Sequence, residues 1–254
     1  MSDEMHLDAQ ARADLYHFLS ATYLGPMQPD ALRQITDSGV LRDIGMALGE
    51  EAVKELKDFA AAEGKVNDPE GLKQEYMDLF AAPTGRYVIP FEDVYRGATS
   101  TEVRGPLLGE WAIAVKRLYQ AAGAEMEGHC KELPTHIGVE LGFMSFLCSK
   151  EAAVSGEDPG GGEAVAPSTC TLYRELQARF LVQHLNVWFP LLSRAIHANS
   201  VSGFYRGLAS LAEALITRDT AQLAAITHTA KTHFRHYQKN SPKNDAALEA
   251  CRAG

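Results

Sequence analysis

Residues 106–123, PLLGEWAIAVKRLYQAAG, show most directly which secondary structure this chain adopts. Large apolar side chains recur at the three- and four-residue spacing that places them on one face of an α-helix. Gly123 stands just beyond the last of them, where helices often end on a glycine in the left-handed conformation. We therefore predict an amphipathic helix over 106–122, whose buried stripe is Leu108, Trp111, Ala112, Val115, Leu118, Tyr119 and Ala122.

The same periodicity recurs along most of the chain, and alternating strand patterns are missing. The helical stretches lie at residues 7–24, 72–80, from about Thr171 to Leu191, 203–217 and 220–238. The one strand-like stretch is RYVIPF (86–91), and Pro90 interrupts it because proline cannot donate a ladder hydrogen bond. These patterns predict an all-α fold, a single large helical-bundle domain of about eight to ten helices.

Residues 155–168, SGEDPGGGEAVAPS, form the segment of lowest complexity. Their glycine and proline content predicts a flexible linker or hinge before the C-terminal helices. The linker separates an N-terminal helical part (1–154) from a C-terminal helical part (169–254). Two arrangements stay open: packing of both parts into one compact domain, as a monomer, or their exchange in a domain-swapped dimer.

Bulk composition excludes several classes of function. The net charge of -9 argues against a nucleic-acid partner, which requires a concentrated basic face. The N-terminal MSDEMHLDAQ lacks the basic and apolar regions of a signal peptide, and no stretch has the roughly 20 apolar residues that span a bilayer. Four widely spaced cysteines fit reduced thiols. We therefore predict a cytoplasmic protein without stable membrane insertion.

His136 and Glu140 are the strongest candidates for chemistry, because residues four apart share a helix face. Three interpretations are open: a metal or acid–base pair, a structural hydrogen bond, or a ligand-facing pair. Thr135 is placed to cap the helix that follows Pro134. The Glu-x-x-His of di-iron bundles and the His-Glu-x-x-His of zinc enzymes are both absent, so we predict no resident metal.

The remaining histidines are better explained by structure. His184 and Trp188, also four apart, continue the inward stripe of a long helix, and Pro190 is expected to kink or end that helix. The C-terminal HTAKTHFRHYQKN (228–240) is typical of a solvated basic face. No nucleophile triad, Walker loop or Rossmann fingerprint is present, so we predict neither an enzyme nor a bound cofactor.

Three ordered motifs resemble the TorD/DmsD/NarJ family of redox-enzyme maturation chaperones. The first is EYMDLF (75–80) with PFEDVY (90–95), which is similar to the family's E-Y-x-x-L-F…P-Y-E-S-V-Y. The second is LPTHIGVE (133–140), similar to P-D-H-x-x-x-E. The third is His184 and Trp188, followed by Phe204-Tyr205. The resemblance covers roughly residues 10–220. Thr135 stands where the family usually has Asp, and Phe91 and Asp93 stand for Tyr and Ser.

The resemblance implies a cytoplasmic chaperone. Such proteins bind the twin-arginine signal peptide of a molybdopterin-containing oxidoreductase and delay export of the apoenzyme until its cofactor is inserted. The resemblance leaves two alternatives: an assembly factor for a non-exported or membrane-anchored molybdoenzyme, as for NarJ, or a nucleotide- or cofactor-binding helical protein that uses His136 and Glu140.

A receptor for two arginines and an apolar run needs an apolar groove with carboxylates at one end. We expect aromatic side chains to form the groove walls, namely Tyr76, Phe80, Tyr87, Phe91 and Tyr95. We expect carboxylates to form its acidic end, namely Glu92, Asp93 and Glu140. Thr135, His184 and Trp188 are expected to support the groove from the core. The predicted peptide-binding residues are Tyr76, Phe80, Tyr87, Phe91, Glu92, Asp93, Tyr95, Pro134, His136 and Glu140.

Overall fold

The structure is a computed structural model that describes residues 7–62, 68–83, 85–96, 107–124, 132–155 and 167–240, with side chains of the last range described for 169–224. Within these ranges the chain forms ten helices and no strand, which confirms the predicted all-α class. Most of the predicted linker, residues 156–166, lies outside the described part of the chain.

Two helices contain a π-helical turn, α5 near its end and α9 near its middle. The ten helices are α1 (Ala9–Leu24), α2 (Pro29–Ile35), α3 (Ser38–Leu48), α4 (Glu50–Ala61), α5 (Pro69–Tyr76, continued by a π turn at Met77–Ala81), α6 (Glu92–Arg96), α7 (Glu110–Ala121), α8 (Ile137–Ser155), α9 (Pro167–Phe180, a π turn at Leu181–Leu185, then Asn186–Asn199) and α10 (Gly203–Asn240).

Local sequence explains where several helices begin and end. The carboxylates of Asp8, Asp37 and Asp68 accept hydrogen bonds from the first backbone N–H groups of α1, α3 and α5. At the end of α7, Gly123 has a φ of +67°, the left-handed conformation predicted for it. Helix α7 begins at Glu110 rather than at 106, because Leu108 has a φ of +61° and cannot belong to a right-handed helix.

Two close helix contacts define the core. Helix α1 lies along α8, and a Cβ atom on Gly138 of α8 would stand 2.6 Å from Cγ of Leu24. Helix α4 lies along α10, where a Cβ on Gly207 would stand 2.7 Å from Cγ of Leu56. Because α4 precedes the predicted linker and α10 follows it, helices from both parts of the chain contribute to one hydrophobic core. A domain-swapped dimer stays a prediction.

A buried ionic group, here called the Arg12 network, ties α1, α8, α9 and α10 together. The guanidinium of Arg12, only 2% exposed, donates from Nη2 to Oε2 of Glu151 at 2.5 Å. From Nη1 it donates to Oε1 of Gln177 at 2.8 Å and contacts Oδ2 of Asp219 at 3.3 Å. Its four residues are separated by up to 207 positions in sequence, so this network was not predicted.

Two local expectations were wrong. The stretches 203–217 and 220–238 form one continuous helix, α10, because no glycine or proline separates them. Pro190 does not end α9, which continues to Asn199 with Pro190 inside it; the alternative, a kink at Pro190, stays a prediction. The RYVIPF stretch forms no strand; it contributes one isolated antiparallel bridge, between Phe91 and His136.

Candidate functional site

The segment from Arg86 to Arg96 is hydrogen-bonded to the end of α5 and to the start of α8. The backbone N–H of Val88 donates to the carbonyl of Leu79 at 2.7 Å. Around the Phe91–His136 bridge, Ile137 N donates to the carbonyl of Pro90 and Glu92 N donates to the carbonyl of Thr135, both at 2.9 Å. The rings of Phe91 and His136 pack edge to face, 5.2 Å between centroids. These backbone bonds set α6 directly against α8.

Glu92, the first residue of α6, is completely buried and accepts hydrogen bonds from two basic side chains. Its carboxylate lies 2.9 and 3.0 Å from Nδ1 of His184 in the π turn of α9. Nη1 of Arg96 donates to Oε1 of Glu92 at 2.8 Å and also to the carbonyl of Gln183. The guanidinium of Arg96 lies over the Trp111 ring, with Cζ 3.4 Å from the ring centroid.

Glu140 is the second completely buried carboxyl group, on α8. It accepts a hydrogen bond from Nε1 of Trp188 at 2.9 Å, and the Tyr95 ring packs on Trp188 with centroids 5.6 Å apart. Burial raises the pKa of Glu140 well above its ordinary value, and the nearby charge of Glu92 raises this pKa further. Its Oε1 atom has no hydrogen-bond partner among the described residues.

Asp93 and Thr135 form a third buried contact between α6 and the start of α8. Oγ1 of Thr135 donates to Oδ2 of Asp93 at 2.8 Å. Thr135 was expected to cap α8. It does not, because its hydroxyl donates to Asp93 instead. At these two positions the family motifs have Asp and Ser, so this chain carries the same two residue classes, a hydroxyl and a carboxylate, in the opposite order. We call Glu92, Asp93, Arg96, Thr135, Glu140, His184 and Trp188 the α6 network.

His136 caps α8 in place of Thr135. Its Nδ1 accepts a hydrogen bond from the backbone N–H of Gly138 at 3.0 Å, so the neutral ring carries its proton on Nε2. Burial lowers the pKa of His136 to about 4. His136 and Glu140 thus have separate protein partners and are both buried, so the metal, acid–base and nucleotide interpretations of this pair lose their geometric basis in this structure.

The first-motif residues Tyr76 and Phe80 lie in an aromatic cluster of the core. Tyr76 donates from its hydroxyl to the carbonyl of Tyr23 at 3.1 Å, and Phe80 packs against Tyr23 and Tyr205. Glu75 accepts hydrogen bonds from the 200–202 turn before α10, two of them at 2.7 Å. Burial opposes its ionisation, but these bonds prevail and lower the pKa of Glu75. The expected groove walls at Tyr76 and Phe80 are therefore buried.

The structure brings most predicted site residues together but encloses their carboxylates. Glu92, Asp93 and Glu140 were expected at an accessible acidic end, yet all three are buried. Pro134 is buried too, and its carbonyl accepts a hydrogen bond from Tyr119. His184 and Trp188 hold Glu92 and Glu140 from the core. The partly exposed members of the predicted peptide-binding set are Tyr87, Phe91 and Tyr95.

Sequence reasoning missed Arg96, Trp111 and Gln183 as members of this site. The four-residue spacing of Glu92 and Arg96 was a usable signal, since opposite charges at that spacing pair on a helix. The contacts of Arg96 with Trp111 and Gln183 carried no local signal, because these residues come from α7 and α9.

Two surface clefts lie away from the α6 network. One, of about 390 Å³, lies between α5 and the 200–202 turn and includes Glu75 and Arg86. The other, of about 740 Å³, lies between α4 and α10 and includes Glu55 and His197. Among the described residues no group of three or more His, Cys, Asp or Glu side chains is arranged to hold a metal ion. No helix in the described ranges has the length and apolar character needed to cross a membrane.

Comparison with known proteins places these features in a family context. Residues 46–194 match the family model described as nitrate reductase delta subunit. The chain is 29% identical over 128 residues to the perchlorate reductase assembly chaperone protein of Dechloromonas aromatica (strain RCB), covering 50% of this chain and 52% of the relative. It is 27% identical over 130 residues to the selenate reductase assembly chaperone protein of Thauera selenatis, covering 51% of this chain and 59% of the relative. The aligned region thus spans little more than half the length of these relatives.

The family match covers more than half of the chain and includes every residue of the α6 network. Arg12 and Asp219 of the Arg12 network lie outside it. The assignment made from the three motifs is confirmed, and the chain belongs to the nitrate reductase delta subunit family, the family of TorD- and NarJ-type chaperones.

Proposed function

We propose that this chain is a cytoplasmic assembly chaperone that binds the N-terminal twin-arginine signal peptide of a molybdopterin-containing oxidoreductase before the cofactor is inserted. The observation that carries the proposal is family membership together with two relatives named as reductase assembly chaperones. In this role the protein is not an enzyme, and its partner is the apo form of the oxidoreductase.

The partly exposed aromatic residues around α6 support the proposal. Tyr87, Phe91 and Tyr95 are partly exposed and offer apolar area to an incoming segment; Phe91 packs on His136 and Tyr95 on Trp188. Burying a few hundred Å² of apolar surface contributes several kcal/mol at about 25 cal/mol per Å², before the cost of ordering the peptide. These rings would take the apolar run of the peptide.

The burial of the acidic side chains adds a condition to the proposal. Arginine side chains of a peptide reach Glu92 or Asp93 only if α6 or its side chains move, because both carboxylates are covered in this structure. Binding and local opening of α6 are therefore proposed to occur together, which makes the affinity depend on how readily the α6 network opens.

The test uses a molybdopterin-containing oxidoreductase with a twin-arginine signal peptide from the same genome. Its N-terminal peptide is titrated against the purified protein by calorimetry, with a peptide in which both arginines are glutamine as the control. We expect the arginine peptide to bind more tightly, and we expect the oxidoreductase from cells that lack this chain to contain less cofactor. Absence of peptide binding together with undiminished cofactor content would exclude the proposed function.

A second candidate is an assembly factor for a reductase that is not exported. The family description, which names nitrate reductase, favours it. The mature partner discriminates between the two: removal of its N-terminal segment supports the first candidate, whereas a retained N-terminal segment that this chain binds supports the second.

A further inference from the structure

The side chain of Arg96 contacts residues of three helices. Its Nη1 group donates to the Glu92 carboxylate on α6 and to the carbonyl of Gln183 on α9. Its guanidinium plane lies over Trp111 on α7. We call the Glu92 carboxylate, the Gln183 carbonyl and the Trp111 ring the guanidinium cradle. Each group suits a planar cation with several N–H donors better than the compact ammonium of lysine.

The position of Arg96 allows it to leave this cradle. It is the last residue of a five-residue helix, and its side chain is 16% exposed, whereas the Glu92 side chain is completely buried. Glu92 has a second partner in Nδ1 of His184. Departure of Arg96 would therefore not leave the buried carboxylate without a hydrogen-bond partner, which is the situation that makes breaking a buried ion pair so unfavourable.

Exposed apolar residues lie close in sequence to two members of the cradle, Gln183 and Trp111. Val182 precedes Gln183 in α9 and is 56% exposed, and Val187 follows one turn later. Leu107 and Leu108 lie just before the helix that carries Trp111, and both are largely exposed. Leu108 has a positive φ, which costs a bulky residue conformational energy and is found where function holds the backbone in place.

Trp111 also has an unused hydrogen-bond donor. Its Nε1 atom is buried and has no acceptor among the described residues. Buried indole N–H groups normally have a partner, and a backbone carbonyl beside an inserted arginine is the kind of group that would supply it.

We propose that the guanidinium cradle is a binding site for an arginine side chain of a partner protein, flanked in the partner by apolar residues, and that Arg96 is an internal placeholder that the incoming arginine displaces. The identification of this partner as the N-terminal segment of the client oxidoreductase rests on the proposed function. The cradle itself is assigned from its own geometry.

The first experiment tests the cradle without any peptide. Arg96→Met retains an unbranched apolar side chain and removes the guanidinium, which leaves the Trp111 ring and the Glu92 carboxylate open to a small cation. Arg42→Met, in which an exposed arginine paired with Asp43 on α3 is lost, is the matched control. Melting temperatures are measured with increasing millimolar methylguanidinium chloride, against equal concentrations of tetramethylammonium chloride.

We expect methylguanidinium to stabilise Arg96→Met but neither the wild type nor Arg42→Met. Equal responses of all three proteins would overturn the assignment of the cradle. If Arg96→Met does not fold, Arg96→Gln, which retains a hydrogen-bond donor, is measured in its place.

The second experiment tests displacement of Arg96. If Arg96 occupies the cradle roughly nine-tenths of the time, its removal raises the apparent affinity for an arginine-bearing peptide about tenfold. The client peptide is titrated against wild type, Arg96→Met and Arg42→Met. Unchanged affinity in Arg96→Met would refute displacement, even with a positive methylguanidinium result. If no peptide binds to any of the three proteins, the proposed function fails, and the methylguanidinium response alone decides whether the cradle exists.

Discussion

The Arg12 network and the α6 network are both buried ionic groups, but they differ in how they are enclosed. Arg12 is 2% exposed, and its carboxylate partners Glu151 and Asp219 come from two long helices. In the α6 network the cation Arg96 lies at the edge, on a five-residue helix. Glu92 and Glu151 each have a second basic partner, His184 and Arg174, so the difference lies in the exposure of the arginine and in the length of the helix that carries it. The same kind of arginine–carboxylate contact therefore has two uses: in the Arg12 network it holds the helices together, and at Arg96 it can be exchanged for another ligand.

The largest effect is expected for Arg12, whose removal should strongly destabilise the protein if the Arg12 network holds the four helices together. Arg12→Met leaves Glu151 and Asp219 with a buried carboxylate each and no central cation, although Arg174 still contacts Glu151. Loss of one partner from a buried ionic group destabilises proteins by about 3–5 kcal/mol. We expect that loss in the free energy of unfolding, measured by urea denaturation. Arg42→Met is the surface control and should change it by at most about 0.5 kcal/mol. A loss below about 1 kcal/mol for Arg12→Met would contradict the scaffold role.

The next prediction tests whether Thr135 and Asp93 of the α6 network are energetically coupled. Thr135→Asp alone places two buried carboxyl groups beside each other, and Asp93→Ser alone leaves two hydroxyls. The double variant restores a hydroxyl–carboxylate pair in the family's order. We expect a coupling energy of about 2–3 kcal/mol in a double-mutant cycle by chemical denaturation. Additive effects of the two substitutions would show that the pair is not coupled.

The lowered pKa of His136, at the start of α8, makes the stability of the protein depend on pH. Its folded pKa of about 4 lies below the ordinary value of 6.5, so the unfolded chain binds the proton more readily. Stability from this group is complete above about pH 6.5 and is lost as the pH falls towards about 4. Asn in place of His136 keeps a side-chain cap and does not titrate.

Relative to His136→Asn, we expect the wild type to lose roughly 2 kcal/mol of stability between about pH 7 and about pH 5. Taking the difference between the two proteins cancels the opposite contribution of Glu140. The raised pKa of Glu140 gives stability that is present at low pH and lost as the pH rises above about 4.5. Parallel pH profiles for wild type and His136→Asn would disprove the assignment of neutral, buried His136.

The smallest effect is expected for Arg96 itself. Arg96→Met removes a partly exposed ion pair and a cation–π contact but leaves Glu92 bonded to His184. We expect about 1 kcal/mol of destabilisation in the same urea experiment. A loss as large as that of Arg12→Met would remove the distinction between a permanent joint and an exchangeable contact.

Much of the fold was predictable because helices depend on local sequence. The stripe at 106–122 and Gly123 predicted α7 to within a few residues. The failures have local causes as well. Leu108 matched the apolar stripe, but its positive φ excludes it from the helix, and nothing in periodicity reports a backbone dihedral angle.

The candidate site was predictable only as a set of residues. Glu92, Asp93 and Glu140 were selected as carboxylates, and the two motifs that contain them do meet in space. Their partners, however, are His184, Thr135 and Trp188, which are 42 to 92 positions away from them. Burial of a charged residue is unusual without such partners, so exposure was the reasonable expectation from sequence.

The sequence by itself determined the helical class and the family, since periodicity, capping residues and ordered motifs are properties of neighbouring positions. Only the tertiary structure decided that the acidic residues are enclosed, that Thr135 binds Asp93 instead of capping α8, and that Arg96 lies between Glu92 and Trp111. These contacts depend on how α6, α7, α8 and α9 pack, and packing joins residues whose spacing along the chain carries no periodic signal.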